Sequence, residues 1–265
     1  MLKLSFILTT YNSASFLKRT LATIDAQDYP EIEVCIKDGG STDGTIDVIE
    51  EYAQKGKYPL KWESKPDTGI YDAMNQGFAL STGDVIAFFN DMLIQQDAVS
   101  KMMRLIEAHP ESIGAHADLV YANEEKVVRF WKMGPQKSIY CGWMPGHPTF
   151  YIRRDMYEKY GLYKTDYRIS ADYEMMIRIL KHKENRLEYL PETIVRMYYG
   201  GTSNSSFGSY MDSLKEGHRA LKENGIPFAF IADGFRTLRV LLQFVLKSDV
   251  EINKSSVVKN ESTDR

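Results

Sequence analysis

Cysteine, uninterrupted apolar runs and surplus positive charge are all scarce in this chain, and each shortage argues against a class of function. Two cysteines among 265 residues, Cys35 and Cys141, lie far apart with no CxxC or CxxH spacing. Neither a disulfide framework nor a zinc site is indicated, and a reducing, cytosolic setting fits. Lysine and arginine total 33 against 36 aspartate and glutamate, a net charge of -3, which gives no general attraction to a phosphate polymer and sets nucleic acid aside as a partner. The apolar opening, Met1 to Leu8, is too short for a signal peptide and lacks a small-residue cleavage site, so it is read as a strand. The apolar segment Pro227–Ser248 is broken by Asp233, Arg236, Arg239 and Gln243 and cannot comfortably span a bilayer. No G-x-G-x-x-G follows the first strand, against a dinucleotide-dependent oxidoreductase. A glycine-rich basic loop, which a sugar nucleotidyltransferase would want there, is replaced by Thr-Tyr-Asn. His109, His116, His182 and His218 have no partners at metal-ligand spacing and are expected at the surface.

What is present is a rhythm. From Leu2 to Asn90, β-branched runs alternate with polar turns and helically spaced stretches, which predicts βαβ units and a mostly parallel sheet. The predicted strands are Leu2–Thr10, Ile32–Asp38, Leu60–Ser64 and Asp84–Phe89; the predicted helices are Ala14–Ala26, Thr45–Lys55, Gly69–Leu80 and Asp97–His109. After Asp118 the spacing shortens, with strands at Leu119–Ala122, Lys126–Lys132 and Thr193–Met197, a helix at Ala171–Lys181, and an aromatic, Gly/Pro-rich passage from Tyr140 to Tyr151. Met102, Met103, Leu105 and Ile106, like Met175, Met176, Ile179 and Leu180, repeat as core stripes. The resulting division is a domain over 1–206, in halves 1–117 and 118–206, a helical extension over 207–248, and a polar tail over 249–265 read as disordered. In the extension Phe228, Ile231, Phe235, Leu238, Leu242 and Val245 recur every three to four residues. Such a helix can lie on a membrane, pack on the domain or pair with a second copy.

In an open sheet of this kind ligands sit beyond the carboxyl ends of the strands. The first strand ends in Thr9-Thr-Tyr11-Asn12 and the second in Asp38-Gly-Gly-Ser-Thr-Asp-Gly-Thr45. Tyr11 can stack on a nucleobase and Asp38 can accept one of its N–H groups, while Gly39, Gly40 and Gly44 allow a close turn. The same residues also suit turn and cap chemistry, with Thr42 or Asp43 at the helix start.

This pair of strand ends, with Asp67-Thr-Gly-Ile-Tyr71-Asp72-Ala-Met-Asn75-Gln-Gly and Thr82-Gly-Asp84 after it, resembles glycosyltransferase family 2, over about three quarters of the chain. The resemblance implies an α/β GT-A fold, with a mixed acceptor-side half. It also implies a nucleoside-diphosphate-sugar donor and direct displacement with inversion onto a hydroxyl of a glycan or lipid-linked glycan, in cell-envelope glycan synthesis such as capsule, exopolysaccharide or O-antigen. Location would be cytoplasmic, with contact at the inner face of the plasma membrane open. The donor would be met by Thr9, Tyr11, Asn12, Asp38, Asp67, Asp72, Asn75 and Asn90. Where the family usually has two carboxylates for a divalent cation, this chain reads Asn90-Asp91-Met92, so Asp91 is the expected ligand for Mn²⁺ or Mg²⁺; a cap or strand-end turn is the alternative. The shortening also leaves open a nucleotide-sugar-binding module that has lost catalysis.

Asp172, in Ser170-Ala-Asp172-Tyr-Glu174, matches the family's acidic position at a helix start beside the acceptor, where a base must take the hydroxyl proton. Its alternative is an N-cap, and Glu174 is the weaker candidate base. His147, in Pro145-Gly-His147-Pro, can touch acceptor or phosphate, or be structural.

Overall fold

The computed structural model describes residues 1–123, 126–198 and 207–245, with no side-chain description for 207–210; the tail expected over 249–265 lies outside these residues. The first half alternates strand and helix as the periodicity predicts: β1 (Leu4–Thr10), α1 (Ala14–Asp25), β2 (Ile32–Asp38), α2 (Thr45–Lys55), β3 (Leu60–Ser64), α3 (Ile70–Leu80), β4 (Val85–Phe88). A two-residue strand β5 (Met92–Leu93) and α4 (Ala98–Ala108) follow. The second half holds β6 (Gly114–Ala122), β7 (Val127–Trp131), β8 (Tyr151–Arg153), α5 (Arg154–Tyr160), α6 (Ala171–Leu180), β9 (Leu187–Tyr198), α7 (Phe207–Glu223) and α8 (Ala229–Leu242).

One sheet takes in all the strands, in the order β3-β2-β1-β4-β8-β6-β9-β5, with β7 added to β6. The β3-β2-β1-β4 block is parallel, and its register sets Thr10 beside Asp38 and Asp38 beside Ser64. The polar carboxyl ends of three strands therefore form one row. Beyond β4 the sheet is mixed, because β8 runs antiparallel to both β4 and β6, and β9 is parallel to β6.

Burial on both faces explains why β1, β2 and β4 carry apolar residues on either side. Leu4, Phe6 and Leu8 of β1 enter a core with α1, α2 and α4, whereas Ile7 enters a second core with α3, α5 and α6. Met102, Met103 and Ile106, and Met175, Met176, Ile179 and Leu180, are buried in these cores as their spacing predicts. Each such side chain removed from water contributes about 1.5–3 kcal/mol.

Several expectations need correction. β6 begins at Gly114, five residues before the predicted start, and β9 runs for 12 residues rather than five. The register of β9 against β6 shifts around Asp118, and Pro191 with Glu192 interrupts the alternation that would have revealed the strand. The passage Tyr140–Tyr151 holds two 3-10 turns, Ile139–Cys141 and His147–Thr149, ahead of β8. His116 is not at the surface: it is fully buried in β6, stacked on Tyr189 and edge-on to Trp143. Burial pushes its pKa down to about 3, so the ring is neutral.

Candidate active site

The turn after β2 is built around Asp38. Its Oδ2 accepts the N–H groups of Gly40 (2.8 Å) and Ser41 (2.9 Å) and the Ser64 hydroxyl (2.6 Å), and Oδ1 accepts the Ser41 hydroxyl (2.5 Å). Burial alone would raise this carboxyl, but those bonds outweigh it and hold its pKa below the ordinary value. The expected base contact therefore meets a carboxylate with no exposed surface, turned into its own loop. Asn12 plays a matching part. With φ of 47° it accepts the Thr42 N–H (2.8 Å) and donates its own N–H to the Ser41 hydroxyl (2.8 Å), lacing the loop after β1 to the loop after β2. Asp43 accepts N–H groups from both Ala14 and Thr45 (3.2 and 3.0 Å), bridging the starts of α1 and α2.

These loops leave Tyr11 65% exposed over a cleft of about 560 Å³ whose lining includes Thr9, Tyr11, Asp67, Gly69, Ile70 and Asn90. The size suits a nucleotide-scale ligand. Gly39 lets these side chains close in: a Cβ there would stand 2.9 Å from the Asp67 carboxylate and 3.2 Å from the Tyr11 ring, so both would have to shift. Sequence reasoning missed Lys37, which is fully buried and donates to the carbonyls of Asp38 (2.7 Å) and Lys65 (2.5 Å), 3.7 Å from the Asp67 carboxylate. A lysine directly before Asp38, at the end of a strand whose carboxyl end faces the cleft, is the signal that could have found it. Asn90 clasps Thr9 in two bonds, 3.1 Å to its N–H and 3.0 Å to its hydroxyl, and so fixes the cleft floor between β1 and β4.

Two expected donor residues are employed elsewhere. Asp72 reaches back from the first turn of α3 to the Thr68 N–H and hydroxyl, each 2.9 Å, a capping arrangement. Asn75 exchanges hydrogen bonds with the backbone of Tyr163 (2.9 and 3.0 Å), tying α3 to the loop before α6.

Asp172 lies one residue inside α6, whose N-cap is Ser170, so the N-cap alternative does not hold. Its Oδ1 is 3.1 Å from the Tyr71 hydroxyl, which also reaches the Ile169 carbonyl at 2.5 Å. Tyr71 is adjacent to Ile70 of the cleft wall, and this contact brings α6 to the mouth of the donor-side loops. Glu174 is buried and paired with Lys164 (3.0 Å) and Arg178 (3.2 Å), which removes it as a base. His147 is bonded to the Tyr163 hydroxyl (2.7 Å) and stacked near Phe88; burial lowers its pKa, with the nearby Asp172 opposing.

Asp91 is 8% exposed, and no described residue hydrogen-bonds or ion-pairs with its carboxyl, which burial pushes up to about 7. A deeply placed oxygen ligand without a partner, next to the cleft-lining Asn90, suits a hard cation shared with a ligand's phosphates and water. Among the described residues no cluster of three or more acidic, cysteine or histidine side chains forms a closed cage, so the ligand would have to complete the shell. Both Asp91 and Asp172 act on one neighbour: the Tyr121 phenol, at the end of β6, has its pKa raised by burial and further by these two carboxylates, against the opposing charge of Arg129.

The sequence model of Glycosyl transferase family 2 matches residues 5–183, which include Thr9, Tyr11, Asp38, Asp91 and Asp172. The chain is a family 2 glycosyltransferase. Among its relatives, the PGL/p-HBAD biosynthesis glycosyltransferase of Mycobacterium bovis is 30% identical over 213 residues, covering 76% of this chain and 79% of that protein. The fold of this glycosyltransferase is that of the GT-A enzymes. The crystal structure of Staphylococcus aureus TarS 1-349 superposes with a TM-score of 0.66 at 17% identity, covering 89% of this chain and 71% of that one. A Pyrobaculum calidifontis mannosyltransferase in complex with GDP-Man and Mn²⁺ gives 0.66 at 16% identity, with 93% and 76% covered.

Proposed function

We propose that this glycosyltransferase moves a sugar with inversion from a nucleoside-diphosphate-sugar bound in the Tyr11 cleft to a hydroxyl of a glycan or lipid-linked glycan, in cell-envelope glycan assembly at the cytoplasmic side. The observation that carries the reading is the cleft rimmed by Thr9, Tyr11 and Asn90, with Asp91 next in the chain to Asn90 and Asp172 tied by the Tyr71 hydroxyl to the helix start that supplies Gly69 and Ile70 to the cleft wall. A relative named for PGL/p-HBAD biosynthesis and solved neighbours titled with UDP-GlcNAc and GDP-Man support the donor and acceptor classes.

In this reading Tyr11 stacks on the base. Asp38 and Asn12 hold the two loops in shape around it. Asp172 accepts the proton of the acceptor hydroxyl as its oxygen attacks the anomeric carbon. The bond from that carbon to the diphosphate breaks on the opposite face, and the nucleoside diphosphate leaves. Tyr71 keeps the Asp172 carboxylate at the mouth while this happens. Asp91 is the residue that would hold a divalent cation, which when bound neutralises charge building on the diphosphate.

The test is donor turnover by the purified protein across UDP-, GDP- and dTDP-sugars, with Asp172→Asn alongside. The variant is expected to lose about 10²-fold or more in kcat with donor affinity retained. A panel that neither binds nor reacts refutes the reading; nucleotide binding with turnover equal in wild type and variant identifies a module without catalysis.

A further inference from the structure

Helix α8 is mounted inside out. Its polar side chains face the protein: Asp233 meets His218 of α7 (2.7 Å), the Arg236 guanidinium lies 4.6 Å from the centre of the Tyr173 ring of α6, and Arg239 donates to the Cys141 carbonyl (3.2 Å). Its outward face is the row Phe230, Ile231, Phe235, Leu238, Leu241 and, just past the helix, Val245, between 44% and 76% exposed. Gly234 lies in the same row with open space before it. From Ile231 to Val245 the row runs about 21 Å at 1.5 Å per residue. A continuous apolar face of this extent is far more than singly scattered surface hydrophobes require, and it calls for an occupant.

We propose that this face lies on an anionic lipid bilayer surface, with α8 parallel to it. Two observations select that occupant. The outward row carries no hydrogen-bonding side chain, whereas protein interfaces ordinarily include about one hydrogen bond per 100–200 Å²; hydrocarbon asks for none. Of the charged residues in 227–248, Asp233 is engaged by His218 and Arg236, which leaves the partly exposed Arg239 beside the row and, next in the sequence, Lys247 as a local positive surplus in a chain of net charge -3. No helix among the described residues is long and apolar enough to cross a membrane, so the contact is interfacial.

The position ties this surface to the site. α8 packs on the 3-10 turn that exposes Tyr140, and Gln243 just beyond it bonds to the Phe130 backbone and the Arg129 side chain of β7. Arg129 lies over the ring of Tyr121, at the end of β6. A bilayer under α8 would present headgroups beside the β6–β7 edge of the site, which suits a lipid-linked acceptor; only this last step rests on the function proposed above.

The experiment is flotation of the full chain with vesicles of phosphatidylcholine and phosphatidylglycerol, against phosphatidylcholine alone, with no donor present. Capture is expected on the mixed vesicles and to fall on the order of tenfold for Phe235→Asp with Leu238→Asp, and similarly for Leu241→Asp with Val245→Asp, at exposed positions where UDP binding should persist. Capture unaffected by both pairs, equal capture by neutral vesicles, or no capture at all would overturn the proposal. A sedimentation dimer that Leu238→Asp dissociates, with no vesicle binding, would assign the face to a second copy instead. Because no turnover is read, a negative result leaves the transfer reaction to be judged separately.

Discussion

Asp91 and Asp172 are carboxylates of opposite circumstance. Asp172 has a hydroxyl neighbour and sits at a helix start, whereas Asp91 is buried with no described partner and its carboxyl is held at about 7. An unfolded Asp ionises near 3.8, so between about pH 4 and 7 the folded chain binds more protons than the unfolded chain, and stability falls as pH rises through that window. The cost is fully present above about pH 7, on the order of a few kcal/mol. Asp91→Asn is therefore expected to raise the melting temperature by several degrees at pH 8, with little change at pH 4, while lowering transfer. A melting temperature unchanged at pH 8 would mean that the carboxylate is compensated in the protein. At this scale the sequence was legible where polar loops follow a strand end, as after Thr10 and Asp38, but not in what Asp38 would face, since its carboxylate turns into its own loop. It was not legible for Asp72 and Asn75, whose bonds to Thr68 and Tyr163 depend on where α3 starts and what packs on it.

Among the elements, β1, β2 and the turn before β4 are joined by one buried glutamate. Glu33 accepts from Ser5 (2.7 Å) and the Thr82 N–H (2.5 Å), and pairs with Lys3 (2.6 Å) and Lys61 (3.1 Å). Burial works against its charge, but the hydrogen bonds from Lys3, Ser5, Thr82 and Lys61 prevail and hold it at about 2. Because the folded value is lowered from 4.5, this stabilisation is fully present above about pH 4.5 and is lost as pH falls through about 2. Glu33→Gln is expected to cost about 1–3 kcal/mol at pH 7 and to flatten the acid limb of a urea-denaturation series over that window. An unaltered acid limb would remove Glu33 from the account. The parallel elements were legible because each is a short local pattern bounded by turn residues. β8 and α5 were not, since three-residue β8 is stabilised mainly by pairing with β4 and β6 rather than by its own periodicity.

For the whole molecule, the seating of α8 depends on one backbone approach. Gly142 has φ of 64°, and a Cβ there would lie 2.5 Å from the Arg236 nitrogen and 2.7 Å from the Ala232 carbonyl. Gly142→Ala should cost about 1–3 kcal/mol through the left-handed conformation and the overlap. It should also speed proteolysis within 229–245 without changing nucleotide affinity, since Gly142 is far in the chain from the Tyr11 loops. Cleavage at the wild-type rate would show that the helix is held elsewhere.

The sequence by itself determined which chemistry is available and at which strand and helix ends it occurs, because hydrophobic period, turn residues and motif spacing are local properties of the chain. Tertiary structure decided what those groups face. Register brought Thr10, Asp38 and Ser64 into one row, packing left Asp91 without a partner among the described residues, and the seating of α8 turned its apolar stripe outward. A periodic stripe has a direction around its own helix axis but none relative to the rest of the protein until its neighbours are in place, and a carboxylate's charge state is set by neighbours that the chain brings from far away.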